Sequence, residues 1–324
     1  VSLRVVRGAE EWRSDPTLAG RRTTLAIGNF DGVHLGHQEL LQLLAGFARQ
    51  SNALAVALTF DPHPLKVVRP QQAPRLISTL EQRLRWMDEL GLEAALVLPF
   101  TKETARLEPD EFVGALLVET LRAECIFVGE NFRFGHRHAG DVSQLEELGR
   151  KHGYRVKIVP PVVLDGEIVS SSAVRRAVTE GRMDMAKRLL GRPFSLTGSI
   201  VSGTGTGGRK VVPTLNLGYE QELLPARGVY ATETNAGGLW FHSVTNVGVR
   251  PTFDGSHVTV ESYLFDFSER VTAGNLEVRF WKHLRGEKKF PSAQALKEQI
   301  RQDSDRARDY FRDADRVRRP RNTV

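Results

Sequence analysis

The stretch Gly28-Asn29-Phe30-Asp31-Gly32-Val33-His34-Leu35-Gly36-His37 gathers glycines, a carboxylate and two histidines. Before it, Thr23 to Phe30 is apolar through Leu25, Ala26 and Ile27 and reads as a strand; after it, Leu40, Leu44, Phe47 and Ala48 keep a helical period. A strand-to-helix turn collects free backbone N–H groups and the positive end of the helix dipole, so an anion such as a nucleotide phosphate is favoured there. Gly28, Phe30, Asp31 and Gly32 are the candidate phosphate-binding residues of that turn. His34 and His37, three apart in the first helical turn, share one face. A histidine pair aimed at phosphates stabilises charge that builds up as a phosphorus centre is attacked, without a seryl or cysteinyl nucleophile. Zinc is the weaker rival, because no nearby cysteine or third histidine completes a ligand pattern.

Other polar clusters follow the same logic. Ser170-Ser171-Ser172-Ala173-Val174-Arg175 opens a helix, where serines ordinarily act as N-caps. Arg175, one turn on, adds a cation to the hydroxyl and amide donors, a combination suited to a polyphosphate. Gly198, Gly203, Gly205, Gly207 and Gly208 precede Arg209 and Pro213-Thr214-Leu215-Asn216. Such a run lets backbone amides approach phosphates, and it equally describes a flexible barrel loop. Glu261, in Val260-Glu261-Ser262-Tyr263, reads by itself as an ordinary strand glutamate.

The elements that must position these residues alternate regularly in the first part of the chain. Strands are expected over Ala53 to Phe60, Ala94 to Leu98, Cys125 to Val128 and Arg155 to Val159. Helices carry Leu80, Leu84, Met87 and Leu90 after a Thr79/Gln82 capping pair; Phe112, Val113, Leu116, Leu117 and Leu121 after Pro109; and Leu145 and Leu148 after Asp141. Strand alternating with helix predicts a doubly wound parallel sheet, whose ligands bind beyond the carboxyl ends of the strands. The histidine stretch, Asp61-Pro62-His63-Pro64 and Gly129 to Gly135, with Asn131, all follow strands and should gather on that edge. The domain connection is expected at Gly191 to Phe194, separating residues 1–190 from residues 191–324. Beyond it, period-two runs at Thr197 to Val201, Val229 to Thr234, Leu239 to Thr245, Val258 to Phe265 and Leu276 to Phe280 predict an antiparallel barrel or sandwich. A final helix begins near Ser292, with its Asp/Arg mixture forming solvated ion pairs.

The histidine stretch resembles the nucleotidyltransferase superfamily signature, and its wording is similar to the bacterial FAD synthetase family, whose members join riboflavin kinase to FMN adenylyltransferase. The family's Ser-Ser-Thr-x-x-Arg segment binds ATP phosphates, which implies that role for Ser171, Ser172 and Arg175, with serine in place of threonine. Asn131 belongs to the same implied triphosphate site. In the second domain, Pro213-Thr214-Leu215-Asn216 resembles the kinase Pro-Thr-Ala-Asn motif, implying Mg²⁺ and ATP phosphate binding by Thr214 and Asn216, with Gly203 and Gly205 in the phosphate loop. Glu261 matches the family's catalytic glutamate, a general base toward the riboflavin 5′-hydroxyl. Asn246 to Phe253 and Leu284 to Phe290 also fall in family order. Two positions depart from the pattern: Gly208 stands where the kinase loop arginine is common, and Val211 where a later glycine is common. The implied activity is riboflavin to FMN, then FMN to FAD, with ATP as co-substrate in both steps. Two alternatives stay open: an adenylyltransferase with a decayed kinase, and a flavin- or nucleotide-sensing regulator that binds RNA through its basic C-terminal helix.

Bulk properties agree with a two-domain enzyme. The 324 residues carry a formal charge of +6, spread along the chain, which suits anionic small molecules and by itself gives no reason to expect nucleic acid. One cysteine, Cys125, reads as core and fits a reducing cytosol. No apolar run has membrane-spanning length, and the first residues lack a signal-peptide apolar segment, so a cytoplasmic location is expected. The sequence fixes no oligomeric state.

Overall fold

The computed structural model of the chain describes residues 2–201, 214–252, 255–267, 271 and 273–318. The chain divides into two compact units, Val1–Ser171 and Ser172–Val324.

The first unit runs β1 (Arg4–Arg7), α1 (Ala9–Ser14), β2 (Thr23–Ile27), α2 (Leu35–Ser51), β3 (Leu54–Asp61), α3 (Pro64–Val68), α4 (Leu80–Glu89), β4 (Ala94–Pro99), α5 (Pro109–Glu111), β5 (Ala123–Gly129), α6 (Val142–His152), β6 (Arg155–Val159), β7 (Val163–Leu164) and β8 (Glu167–Ile168). The first six strands form one parallel sheet in the order β1-β4-β3-β2-β5-β6. Alternate strand residues face opposite layers. Leu25, Ile27, Val56, Leu58 and Ile126 pack with Trp12, Phe112 and Leu117, whereas Ala26, Ala57, Cys125 and Phe127 pack under Leu41, Leu44 and Met87. The expected Thr79/Gln82 capping box starts α4, and Asp141 caps α6 by accepting from Gln144 N at 3.0 Å. One helix differs from expectation. After α5 the chain winds as a π-helix over Phe112–Thr120, with Leu121 N donating to Leu116 O at 2.9 Å and the Thr120 hydroxyl to Ala115 O at 2.8 Å. The five-residue spacing keeps Phe112, Val113, Leu116 and Leu117 buried all the same.

The second unit contains α7 (Ser171–Thr179) beyond its first residue, α8 (Met183–Leu190), β9 (Phe194–Val201), β10 (Leu215–Tyr219), β11 (Gly228–Ala236), β12 (Leu239–Thr252), β13 (Gly255–Leu264), β14 (Asn275–Arg285) and α9 (Ala293–Arg318). The strands close into an antiparallel barrel in the order β10-β13-β12-β11-β14-β9. α8 packs on β14 and β9, so the division in packing falls at Ser171/Ser172, ahead of the glycine connection at Gly191.

The two faces of the barrel wall differ in chemistry. Val229, Ala231, Val244, Phe265 and Trp281 meet Ala307 and Phe311 of α9 on the outer face. Arg285 fixes that helix through Nε to Asp303 Oδ2 at 3.0 Å and Nη2 to the same oxygen at 2.8 Å. The opposite face holds Phe280 in ring contact with both Phe194 and Tyr230. It also holds a buried run of hydroxyls: Thr234 to Ser243 at 2.8 Å, Ser243 to Thr232 at 2.8 Å, Thr232 to Thr245 at 2.7 Å and Thr245 to Ser262 at 2.8 Å. Ser243 Oγ donates to the Thr232 carbonyl at 3.0 Å. On α9, Arg301 pairs with Glu298 and Asp305, and Arg312 with Asp309, the solvated helix pairs the sequence pattern predicts, while Arg308 reaches off the helix to Asp266.

Candidate active sites

In the first unit the carboxyl ends of β3, β2 and β5 are neighbours, so the loops after them lie along one edge. Connections run outward from β2 through β3 to β4 on one side and through β5 to β6 on the other. The crevice at such a reversal, between β2 and β5, is where open α/β sheets bind ligands. The histidine loop and the Gly129 to Gly135 loop flank it, and Asn131 is exposed there.

Backbone hydrogen bonds and the Asp31 carboxylate hold the loop, with side chains of neighbouring elements. Gly28 N donates to Leu58 O at 3.1 Å, and Val33 N to Phe30 O at 3.0 Å. Phe30 and Val33 take φ of 49° and 38°, left-handed values that a non-glycine residue holds only when its surroundings over-determine it. Asp31, 2 % exposed, supplies that determination. Its carboxylate accepts from Ile77 N at 3.0 and 3.1 Å, from Ser78 N at 3.2 Å and from Ser78 Oγ at 3.2 Å. Ser78 Oγ in turn accepts from Gly32 N at 2.9 Å, and Gly32, at φ +79°, has Ile77 Cγ2 only 3.0 Å from where a Cβ would stand. The Ser171 hydroxyl donates to Asp31 O at 3.0 Å. Asp31 and Ser171, expected from the sequence to bind phosphate, therefore also clamp the loop that carries the histidines.

His34 caps α2, its Nδ1 3.4 Å from His37 N, and the two imidazoles stack with centroids 3.7 Å apart and planes 19° apart. Phe30 meets the His37 ring edge-on at 5.3 Å. A Cβ on Gly36 would lie 3.3 Å from the His34 ring, so glycine there leaves the imidazole its place. Two stacked, largely enclosed imidazoles at a helix N-terminus can donate hydrogen bonds to an anion. Ser172, exposed, and Arg175, half-buried, stand three apart on α7 in the second unit.

In the barrel, register does what spacing along the chain cannot. Asn216 of β10 lies opposite Glu261 of β13, and Glu261 lies opposite Asn246 of β12. Directly opposed residues project from the same face, so the three form one polar row across three strands. Asn246 shares its face with Val244, two residues earlier, which puts the row on the outer face that α9 partly covers. Thr214 enters β10 just before it. Glu287, beyond β14, reaches the end of the row: its Oε1 accepts from Val249 N at 3.2 Å, and a Cβ on Gly248 would lie 2.9 Å from both that oxygen and Asn246 Nδ2. Asn246 and Glu287 occur in stretches whose order matched the family, but only register and packing bring them to Glu261. Gly203 and Gly205, with Gly208 and Val211, lie outside the described residues.

The comparisons with known proteins follow this division. A family model described as FAD synthetase matches residues 18–173, and one described as riboflavin kinase matches residues 190–311. The bifunctional riboflavin kinase/FMN adenylyltransferase of Escherichia coli (strain K12) is 33 % identical over 310 residues, covering 95 % of this chain and 98 % of its own. That of Pseudomonas fluorescens is 34 % identical over 307 residues, covering 94 % and 97 %. A crystal structure described as a macrolide-efflux protein from Streptococcus pneumoniae superposes with a TM-score of 0.82 at 27 % identity, covering 95 % of this chain and 99 % of that one. Among the described residues no helix is long and apolar enough to cross a membrane. Similarity that runs through both units in order, at this identity and over nearly the full length of the relatives, means that the chain belongs to the bifunctional riboflavin kinase/FMN adenylyltransferase family.

Proposed function

We propose that two successive phosphorus transfers are divided between the two parts of the chain, riboflavin phosphorylation in residues 191–324 and FMN adenylylation in residues 1–190. The observation that carries this reading is that the stacked histidines and the Asn216–Glu261–Asn246 row belong to separately packed units.

In the kinase step the riboflavin 5′-hydroxyl oxygen attacks the γ-phosphorus of ATP, Glu261 accepts the hydroxyl proton, and ADP leaves. Asn216, opposite Glu261 in register, and Thr214, two residues earlier, offer amide and hydroxyl oxygens, the hard donors that suit Mg²⁺. Bound there, the ion would neutralise phosphate charge. In the adenylylation step a phosphate oxygen of FMN attacks the α-phosphorus of ATP in line, and pyrophosphate leaves. The loop amides with His34 and His37 stabilise the charge on the α-phosphate, and Asn131 and Ser171, in the same unit, hold the rest of the triphosphate. Both steps depend on positioning and electrostatics more than on covalent chemistry by the protein. A chain whose one cysteine is buried and free, acting on these metabolites, belongs in the cytoplasm.

The test supplies pure protein with riboflavin, ATP and Mg²⁺ and resolves riboflavin, FMN and FAD by chromatography. The parent should make FAD from riboflavin, and the His34→Ala/His37→Ala double variant should stop at FMN. FAD formed only from added FMN would mark the kinase as lost. No product at all would leave the regulator reading.

A further inference from the structure

Arg83, on α4, takes no part in the reaction as described, yet it is 4 % exposed and sits beside the histidine loop. Its Nη1 donates to the Asn29 carbonyl oxygen at 2.8 Å and lies 3.4 Å from Thr59 Oγ1, whose hydroxyl donates to the same carbonyl oxygen at 3.3 Å. Its buried Nε has no hydrogen-bond partner. Burial pulls the guanidinium pKa down, while the charges of Asp31, Asp61 and Glu81 oppose that fall. Guanidinium stays protonated in proteins, so this is a standing positive charge. Packing alone would be better served by an apolar side chain, since a buried and incompletely bonded cation is costly.

What the charge touches suggests why it is there. The Asn29 carbonyl is one end of the peptide unit whose other end is the Phe30 N–H. That peptide is trans, and in a trans peptide C=O and N–H point in opposite directions. Two donors on the oxygen therefore turn the Phe30 N–H away from Arg83, and among the described residues no protein group accepts from it. A cation on the carbonyl oxygen also polarises the amide and makes its N–H a stronger donor. The left-handed Phe30 needs just such an external hold.

We infer that Arg83 is a positioning residue for adenylyl transfer, which fixes and polarises the Asn29–Phe30 peptide so that the Phe30 N–H is presented to the ATP phosphates. The inference rests on the reading that the histidine loop is the adenylylation site. It differs from a packing role in what a substitution should do. Methionine fills the space without charge; lysine keeps the charge and one donor but loses the planar fork.

The experiment measures kcat and KM for ATP in FMN adenylylation for full-length Arg83→Met and Arg83→Lys, with riboflavin phosphorylation and thermal melting measured alongside. Losing one polarised donor at a phosphate costs on the order of 10- to 100-fold in kcat, so that loss is expected of Arg83→Met, with phosphorylation unchanged and Arg83→Lys within about fivefold of the parent. Arg83→Met at the parental rate, or as active as Arg83→Lys, overturns the inference. If Arg83→Met does not melt cooperatively, Thr59→Val replaces it: removing the second donor to the same oxygen should lower adenylylation kcat by about threefold to tenfold, and a parental rate overturns the inference. The His34→Ala/His37→Ala variant separates the two ideas. If it adenylylates FMN normally, the site reading itself fails; if it is inactive while Arg83→Met is not, only the role of Arg83 fails.

Discussion

Replacing Asp31 with alanine should unfasten the histidine loop before it alters any contact with substrate. The carboxylate is 2 % exposed and accepts from two backbone amides and one hydroxyl, at 3.0 to 3.2 Å. Hydrogen bonds to a charged acceptor contribute about 1.5–3 kcal/mol each, and these distances are longer than the best charge-assisted bonds, which favours the lower figure. Three of them give roughly 4–5 kcal/mol, part of which returns when the 77–78 turn opens to water and its amides are solvated. Working the other way, Asp31 is the foremost charge opposing the cost of burying Arg83, and its loss leaves that cation less compensated. A net destabilisation of about 3–5 kcal/mol is therefore expected for the first unit, or on the order of 10 °C in its melting temperature.

Calorimetry on the full chain provides the assay, because the barrel supplies an internal reference. The transition of the first unit should move down, the barrel transition should stay, and riboflavin phosphorylation at a temperature below both should match the parent. Below its own transition the variant should adenylylate FMN slowly, with kcat reduced more than KM for ATP. A melting temperature within about 2 °C of the parent, together with a KM for ATP raised at least tenfold, would refute the reasoning and assign the carboxylate to substrate.

Three further outcomes are expected. Glu261→Gln keeps the shape of the side chain but not its proton-accepting charge, so riboflavin phosphorylation should fall by about 10²- to 10⁴-fold while FMN adenylylation is unchanged, as read by chromatography of the flavins. Asp303→Ala strands the Arg285 guanidinium between β14 and α9 and should destabilise the barrel by about 3–5 kcal/mol, measured as a lower barrel transition. Burial lowers the His283 pKa, so the unfolded chain takes up its proton at a higher pH than the folded barrel does. That contribution to stability is complete above the ordinary histidine pKa of about 6.5 and is lost as pH falls through the lowered folded value, so His283→Phe should flatten the acid side of a urea-midpoint profile.

What the sequence made legible was whatever depends on near neighbours. The glycine-histidine turn, the Thr79/Gln82 capping box and the switch from strand-helix alternation to period-two runs are local patterns, and each matches an element of the fold. The Asn216–Glu261–Asn246 row was hidden because it is a matter of strand register, which couples residues far apart in the chain. Arg83 was hidden for the opposite reason: on an amphipathic helix an arginine reads as solvated, and nothing local says that its head is enclosed beneath a loop more than fifty residues earlier. The π-helical winding of Phe112–Thr120 was equally out of reach, since its apolar residues satisfy an α-helical period. The early strand β1 and helix α1 were too short and too polar to stand out.

The hydroxyl run inside the barrel is a one-way street. Ser243 has a single proton and gives it to the Thr232 carbonyl, so it can only receive from Thr232 and Thr234. Thr232, having spent its own proton on Ser243, must receive from Thr245, and Thr245 by the same rule must receive from Ser262. Every hydroxyl orientation follows from that first commitment, and their dipoles line up from β13 through Thr245 toward the terminus at Ser243. Damage to such a chain depends on where it falls. Cutting it at Ser262 removes only the first donor, whereas cutting it at Ser243 takes away the acceptor of the Thr234 hydroxyl and leaves Thr232, Thr245 and Ser262 without the rule that oriented them.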